Sequence, residues 1–331
     1  MDLTRRSFLL SAGAGLAAAA ATHPLGAASA AARRTIPARG VIPAALTPFA
    51  ADLEVSRREF RRHLLALANV RGVTAIMVNG AAGEDAALSR DERRALVAEA
   101  VAAVGDRTPI LAAVRELKGD ADLGKLAKDA AAEGAHALMI MPPPNKADLL
   151  WENARPRFDR VFAAADLPVA LYHTAYSTET LVQFAGMPRV FAIKEGGGDP
   201  AAFAHNLLSL RAARPDLAIL STNSRWLLAD LAIGADGILS GMGSVTADWH
   251  VALVEAVGRS DLAAARQVHA RMQPLVRAFY RPGQNPHARM KYARAVLGRL
   301  QLAQVRPPLQ PLDEADRRIV EAALRETGLL A

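Results

Sequence analysis

Cysteine is absent from the 331 residues. That excludes a disulfide framework, thiolate metal centres and a cysteine nucleophile, and it suits an oxidising destination. Aromatic residues make up only 5%, too few to interleave with basic side chains as a stacking platform for bases. The formal charge is +7, yet basic residues are scattered among acidic ones, as in Arg57-Arg58-Glu59 and Asp91-Glu92-Arg93-Arg94. Solvated helix faces are expected there, not a nucleic-acid interface. Also missing are a Gly-x-Gly-x-x-Gly loop after the first apolar run and, among the 8 histidines, any His-x-x-x-His pair for a metal. No cofactor or metal is therefore expected. What is present is a chain 51% hydrophobic, enough for a large core.

The first thirty residues read as an export signal. Thr4-Arg5-Arg6-Ser7-Phe8-Leu9-Leu10 is a twin-arginine pattern, the stretch to Ala21 is rich in Ala, Gly and Leu, and Ala28-Ser29-Ala30 is a small-residue cleavage site. The apolar segment falls short of the roughly 20 residues needed to span a bilayer. The expectation is a cleaved signal peptide over 1–30, a periplasmic protein exported already folded, and no stable membrane anchor after cleavage. Cleavage leaves 38 basic and 32 acidic residues, a net +6.

From about residue 41, short apolar runs alternate with amphipathic helical segments. The expected strands are Val41 to Phe49, Thr74 to Val78, Pro109 to Val114, Ala137 to Met141, Pro168 to Tyr172, Val190 to Lys194, Leu217 to Ser221 and Gly237 to Ser240. Ser56 opens the first helix, and Ser89-Arg90-Asp91-Glu92 forms a capping box at the second. Eight βα units predict an α/β fold, a (β/α)8 TIM barrel over residues 31–245. Residues 246–331, broken by Pro274, Arg281-Pro282-Gly283 and Pro307-Pro308, are expected as a helical extension packed on the barrel.

In such a barrel the site lies at the C-terminal ends of the strands, which makes Val190-Phe-Ala-Ile-Lys-Glu-Gly-Gly-Gly-Asp199 informative. A lysine projecting from strand six into an apolar barrel mouth is desolvated, its pKa falls, and its free amine can condense with a ketone to a Schiff base. The glycines, Gly196 first, keep bulk away from it. The competing reading has Lys194 snorkelling to the rim or paired with Glu195. Tyr172, ending the adjacent strand five, would stand beside Lys194 as a proton shuttle, or else be a core tyrosine bonded to backbone.

These residues carry a family resemblance. Ala45-Leu-Thr-Pro-Phe49, Gly80-Ala-Ala-Gly-Glu84 with Leu88-Ser89 and Glu92-Arg93, Gly134-Ala135, Leu171-Tyr172, Ile193-Lys194-Glu195 with Gly198-Asp199, Gly237-Ile-Leu-Ser240 and Lys291 occur in order along the chain. From about Gly40 to Gly298 it resembles the dihydrodipicolinate synthase / N-acetylneuraminate lyase family of class I aldolases, pyruvate-handling barrels that are commonly tetrameric. The resemblance implies that Lys194 is the Schiff-base lysine, that Tyr172 is its proton-transfer partner, and that the chain is a homo-oligomer, a tetramer or a dimer.

The departures are as informative. The family's Gly-Thr-Thr-Gly-Glu loop is here Gly80-Ala81-Ala82-Gly83-Glu84, which keeps backbone amides for a substrate carboxylate but loses the relay hydroxyls. Pro142-Pro143-Pro144 stands where Pro-Tyr-Tyr is common, and Ser177 where dihydrodipicolinate synthases carry an arginine. Arg115 is expected as a carboxylate-binding guanidinium at the barrel mouth, with an Arg115–Glu116 surface pair as the competing reading. His173, Thr47 and Ser240 complete the expected substrate contacts.

The functional expectation is a lyase forming an imine with pyruvate or another 2-oxo acid, outside lysine biosynthesis. Its alternatives are a 2-keto-3-deoxy sugar acid dehydratase and a periplasmic barrel that binds keto or sugar acids without turnover.

Overall fold

The computed structural model describes residues 36–37, 39–116, 122–282 and 285–331. The signal segment 1–30, Leu117 and Gly283 lie outside them.

The strands are β1 (Gly40–Pro43), β2 (Ile76–Val78), β3 (Ile110–Val114), β4 (Ala137–Ile140), β5 (Val169–His173), β6 (Val190–Glu195), β7 (Ala218–Ser221) and β8 (Gly237–Ser240). All are parallel, in the order β1-β8-β7-β6-β5-β4-β3-β2. Parallel bridges Val41↔Val73 and Ala44↔Met77 bring β1 back to β2, with Ala45 N donating to the Met77 carbonyl at 2.8 Å. The barrel is thereby nearly closed, as the βα alternation predicts. The first strand is shorter than expected. Residues 44–49 are all buried, but past Ala45 they leave the ladder, so the end of the apolar run signals burial and not extended pairing.

Helices α1 (Arg57–Ala68), α2 (Arg90–Val104), α3 (Leu123–Ala132), α4 (Trp151–Ala164), α5 (Thr178–Ala185), α6 (Pro200–Ala213), α7 (Leu227–Ile233) and α8 (Gly243–Gly258) follow the strands in turn. The capping box is present at α2: Glu92 N donates to Ser89 Oγ at 3.2 Å and Ser89 N to Glu92 Oε2 at 2.8 Å. Ser56 occupies the N-cap of α1 without a side-chain cap bond.

Helices α9 (Leu262–Phe279), α10 (Pro286–Val296) and α11 (Glu314–Glu326) complete the chain. The expected 245/246 boundary falls inside α8, at its kink on Thr246. The extension is tied to the barrel by charge. Lys291 on α10 is fully buried, ion-paired with Glu84 and donating to the Gln304 carbonyl at 2.8 Å. Arg306 bonds Glu92 at 2.6 Å and the Leu53 carbonyl at 2.7 Å. Burial lowers the Lys291 pKa to about 8, and Glu84 acts against that shift.

The period of two along each strand decides what faces the lumen. Leu171 and Ile193 belong to the buried cluster that also holds Leu181 and Phe184 of α5. Ala170, Ala192, Ala218, Met139 and Met77 line the lumen in another. Register on β5–β6 pairs Val169 with Val190 but Ala170 with Ala192, leaving Phe191 as an inserted residue. That bulge brings Ala192 and Lys194 into phase with Ala170 and Tyr172.

Candidate active site

Tyr172 and Lys194 are direct partners in the β5–β6 register. The Lys194 ammonium nitrogen lies 4.0 Å from the centroid of the Tyr172 ring, and the side chain is buried. Of the two readings of this lysine, the lumen-facing one holds. Glu195, one residue on, faces the other way: its carboxylate accepts from Gly197 N at 2.9 Å and from Asn206 Nδ2 on α6 at 3.1 Å.

Burial is the main reason the Lys194 pKa falls to about 7; the Arg115 guanidinium pushes it the same way, while Asp85 opposes them. Burial likewise raises the Tyr172 pKa, with Tyr280 adding to the shift and Arg115 acting against it. At neutral pH the site thus pairs a substantially free amine with a protonated phenol.

The amine opens into a cavity of about 370 Å³. One side is formed by Ala81 and Ala82, from the 3-10 turn Ala81–Gly83 after β2, and by Gly241 after β8. The first amides of such a turn have no acceptor within it. The glycines after Lys194 have two roles. A Cβ on Gly196 would lie 2.7 Å from the Tyr172 ring and 2.9 Å from Thr222 Cγ2, so only glycine leaves the phenol its place. Gly198, at φ +79°, turns the chain into Asp199, whose side chain caps α6 by accepting from Ala201 N at 2.8 Å.

Lys194, Tyr172, Ala81, Ala82 and Gly196 therefore come together in one cavity, whereas the other expected contacts do not line it. Arg115 is drawn to Asp85 instead, Nε to Oδ2 at 2.7 Å. Nor is it paired with Glu116, which accepts from Arg157 and Arg160 on α4 at 2.7 and 3.0 Å. His173, adjacent to Tyr172, points out of the lumen by alternation. Its Nδ1 accepts from Tyr176 N at 3.1 Å and its Nε2 lies 3.4 Å from Glu195, and burial lowers its pKa to about 4, so it is neutral. Thr47 is buried beneath the loop, 3.0 Å from where a Gly83 Cβ would stand. Gly80 stands behind the loop, where a Cβ would meet the flexible end of the Met77 side chain. Ser240 is buried and bonded to Ser224 and Met242.

Part of the remaining wall comes from residues that the sequence did not mark as candidates. Ser224 follows the Thr222-Asn223 pair at the end of β7; Tyr280 sits at the C-cap of α9 and His287 in the first turn of α10. Ser224 Oγ donates to the Tyr280 phenol oxygen at 2.9 Å, and Arg225 donates to the Tyr280 carbonyl. Burial lowers the His287 pKa to about 3, helped by Lys194, Lys291 and Arg115, so its imidazole is neutral.

The Dihydrodipicolinate synthetase family model matches residues 37–327. A 4-hydroxy-tetrahydrodipicolinate synthase of Salinibacter ruber is 34% identical over 286 residues, covering 83% of this chain and 91% of that protein. Among solved structures, dihydrodipicolinate synthase from Thermotoga maritima superposes with a TM-score of 0.81 at 26% identity, covering 88% of this chain and 99% of its own. A monomeric dihydrodipicolinate synthase variant gives the same TM-score and identity, covering 88% and 97%. With the match extending from ahead of β1 into the last turn of α11, this chain belongs to the dihydrodipicolinate synthetase family of lyases.

Proposed function

We propose that this protein is a Schiff-base lyase that joins or cleaves a carbon–carbon bond next to a 2-oxo acid, with Lys194 as nucleophile and Tyr172 as its proton-transfer partner. The observation that carries this reading is the buried Lys194 amine, with its pKa near 7, at the inner end of a cavity and against the Tyr172 ring. Condensation of the amine with the ketone carbon gives a carbinolamine. The Tyr172 phenol protonates its hydroxyl, which leaves as water, and the resulting phenolate takes a proton from C3 to give an enamine. Ala81 and Ala82 amides would hold the carboxylate.

Relatives named 4-hydroxy-tetrahydrodipicolinate synthase support the chemistry. For the second substrate we propose something other than that of lysine biosynthesis, because Ser177, at the position of the synthases' arginine, is the N-cap of α5 and accepts from Thr180 N at 3.2 Å. Loss of water from a 2-keto-3-deoxy sugar acid would use the same imine. Binding without turnover is a second reading, favoured by the hydroxyl-free Ala81 and Ala82. The twin-arginine pattern supports a periplasmic destination, and the family's habit a homo-oligomer.

The test is incubation with pyruvate and a panel of 2-oxo acids, borohydride reduction and intact mass. The expected result is one reduced-imine adduct per chain, absent in Lys194→Ala. No adduct with any oxo acid would demote the enzyme to a binding protein.

A further inference from the structure

The cavity contains a second phenol whose surroundings are ordered in one direction. Ser224 Oγ donates its single proton to Tyr280 Oη at 2.9 Å, so the 3.3 Å contact between Ser224 and Ser240 must be donated by Ser240. Ser240 Oγ in turn accepts from Met242 N at 3.2 Å. The protons of this chain point towards the Tyr280 oxygen, so the phenol's own proton is not given to Ser224. Arg225, donating to the Tyr280 carbonyl, fixes the backbone from which the ring projects. Tyr280 and Lys194 line the same cavity, on elements 86 residues apart.

We infer that Tyr280 is a catalytic proton donor to the oxygen of the second substrate's carbonyl, doing what the hydroxyls absent from Ala81 and Ala82 cannot do here. The inference rests on the imine reading of Lys194. When the enamine C3 attacks an aldehyde, the new carbon–carbon bond forms as the carbonyl π pair moves to oxygen. That oxygen takes the Tyr280 proton, and C2 and the lysine nitrogen return to the iminium. The phenolate accepts from Ser224 Oγ, which accepts from Ser240, which accepts from Met242 N. It recovers its proton from the water that then adds to C2 and releases the product. In cleavage the same steps run backwards, the phenolate accepting the proton of the alcohol. Burial keeps the phenol protonated at neutral pH, its pKa being raised despite the hydrogen bonds it accepts.

The experiment uses the full chain, with pyruvate as donor and glycolaldehyde and glyceraldehyde as probe acceptors, read by intact mass after borohydride reduction. The pyruvate adduct reports Lys194, and the larger adduct carrying both fragments reports the condensation. Tyr280→Phe should still give the pyruvate adduct while the condensed adduct forms about 10²- to 10⁴-fold more slowly, the usual range for a lost general acid. Ser224→Ala, which removes one donor to the phenolate, should slow the same step about tenfold. Condensation by Tyr280→Phe at the unsubstituted rate overturns the inference, as does loss of its pyruvate adduct, which would make the residue structural. A pyruvate adduct without condensation of either aldehyde by the unsubstituted protein overturns Tyr280 but not Lys194. No adduct at all in that protein removes both.

Discussion

Arg115 tests the electrostatic account of Lys194 most sharply. Expected from the sequence to bind substrate, it is instead held against Asp85 at 2.7 Å and makes the lysine harder to charge. With a pKa of about 7 in place of 10.5, about half of the amine is free at pH 7, against about 3 in 10⁴ for an ordinary lysine, on the order of a thousandfold gain in nucleophile. Arg115→Met removes a cation that depresses this pKa, so the change acts upward. A nearby charge shifts a pKa by about one unit. The free amine at pH 7 would then fall from about half to about a tenth, roughly a fivefold loss, whereas at pH 9 both proteins would be nearly fully deprotonated. The assay is the initial rate of pyruvate trapping with cyanoborohydride, followed by intact mass from about pH 5.5 to 9.5, a range that brackets both titrations. The rising limb should move to higher pH in Arg115→Met, with rates converging near pH 9. An unmoved limb refutes the reasoning. So does an equal fall at every pH, which would put the guanidinium on the substrate.

Two further outcomes follow from burial. Because the folded-state pKa of Lys194 lies below its unfolded value, the protein is destabilised wherever the unfolded amine is charged, and that penalty disappears as pH rises from about 7 to 10.5. Lys194→Met should therefore be more stable by up to about 4 kcal/mol at pH 7, with the difference shrinking by pH 10, as read by urea denaturation. Glu84→Gln leaves the buried Lys291 ammonium without its counter-charge and should cost about 3 kcal/mol at pH 7; an unchanged denaturation midpoint would show that the pair does not hold the extension to the barrel.

The barrel was legible because parallel strands buried on both faces leave continuous apolar runs, and eight of them alternate with capped helices. Lys194 and Tyr172 were legible because each ends such a run, where a charge or a phenol has no packing reason to be. The same rule misjudged the neighbour His173. It ends the same strand as Tyr172 but lies one residue out of phase, and a period of two sends it to the helix side, beside Glu195. Arg115 was misplaced because nothing in the sequence marks Asp85, on the loop after another strand, as its partner. Tyr280, Ser224 and His287 were not legible at all: they reach the cavity from the β7 loop and the extension, where no periodicity marks a site, and only the fold brings them to Lys194.

Among the described residues two buried lysines have lowered pKa values, Lys194 at about 7 and Lys291 at about 8, and the choice between them is the heart of the account. Lys291 is locked to Glu84 and Gln304, whereas Lys194 faces the cavity. Peptide mapping of the borohydride-reduced pyruvate adduct settles the matter directly. Modification on Lys194, with Lys291 unlabelled, is the predicted result; a label on Lys291 or on surface lysines alone would contradict it.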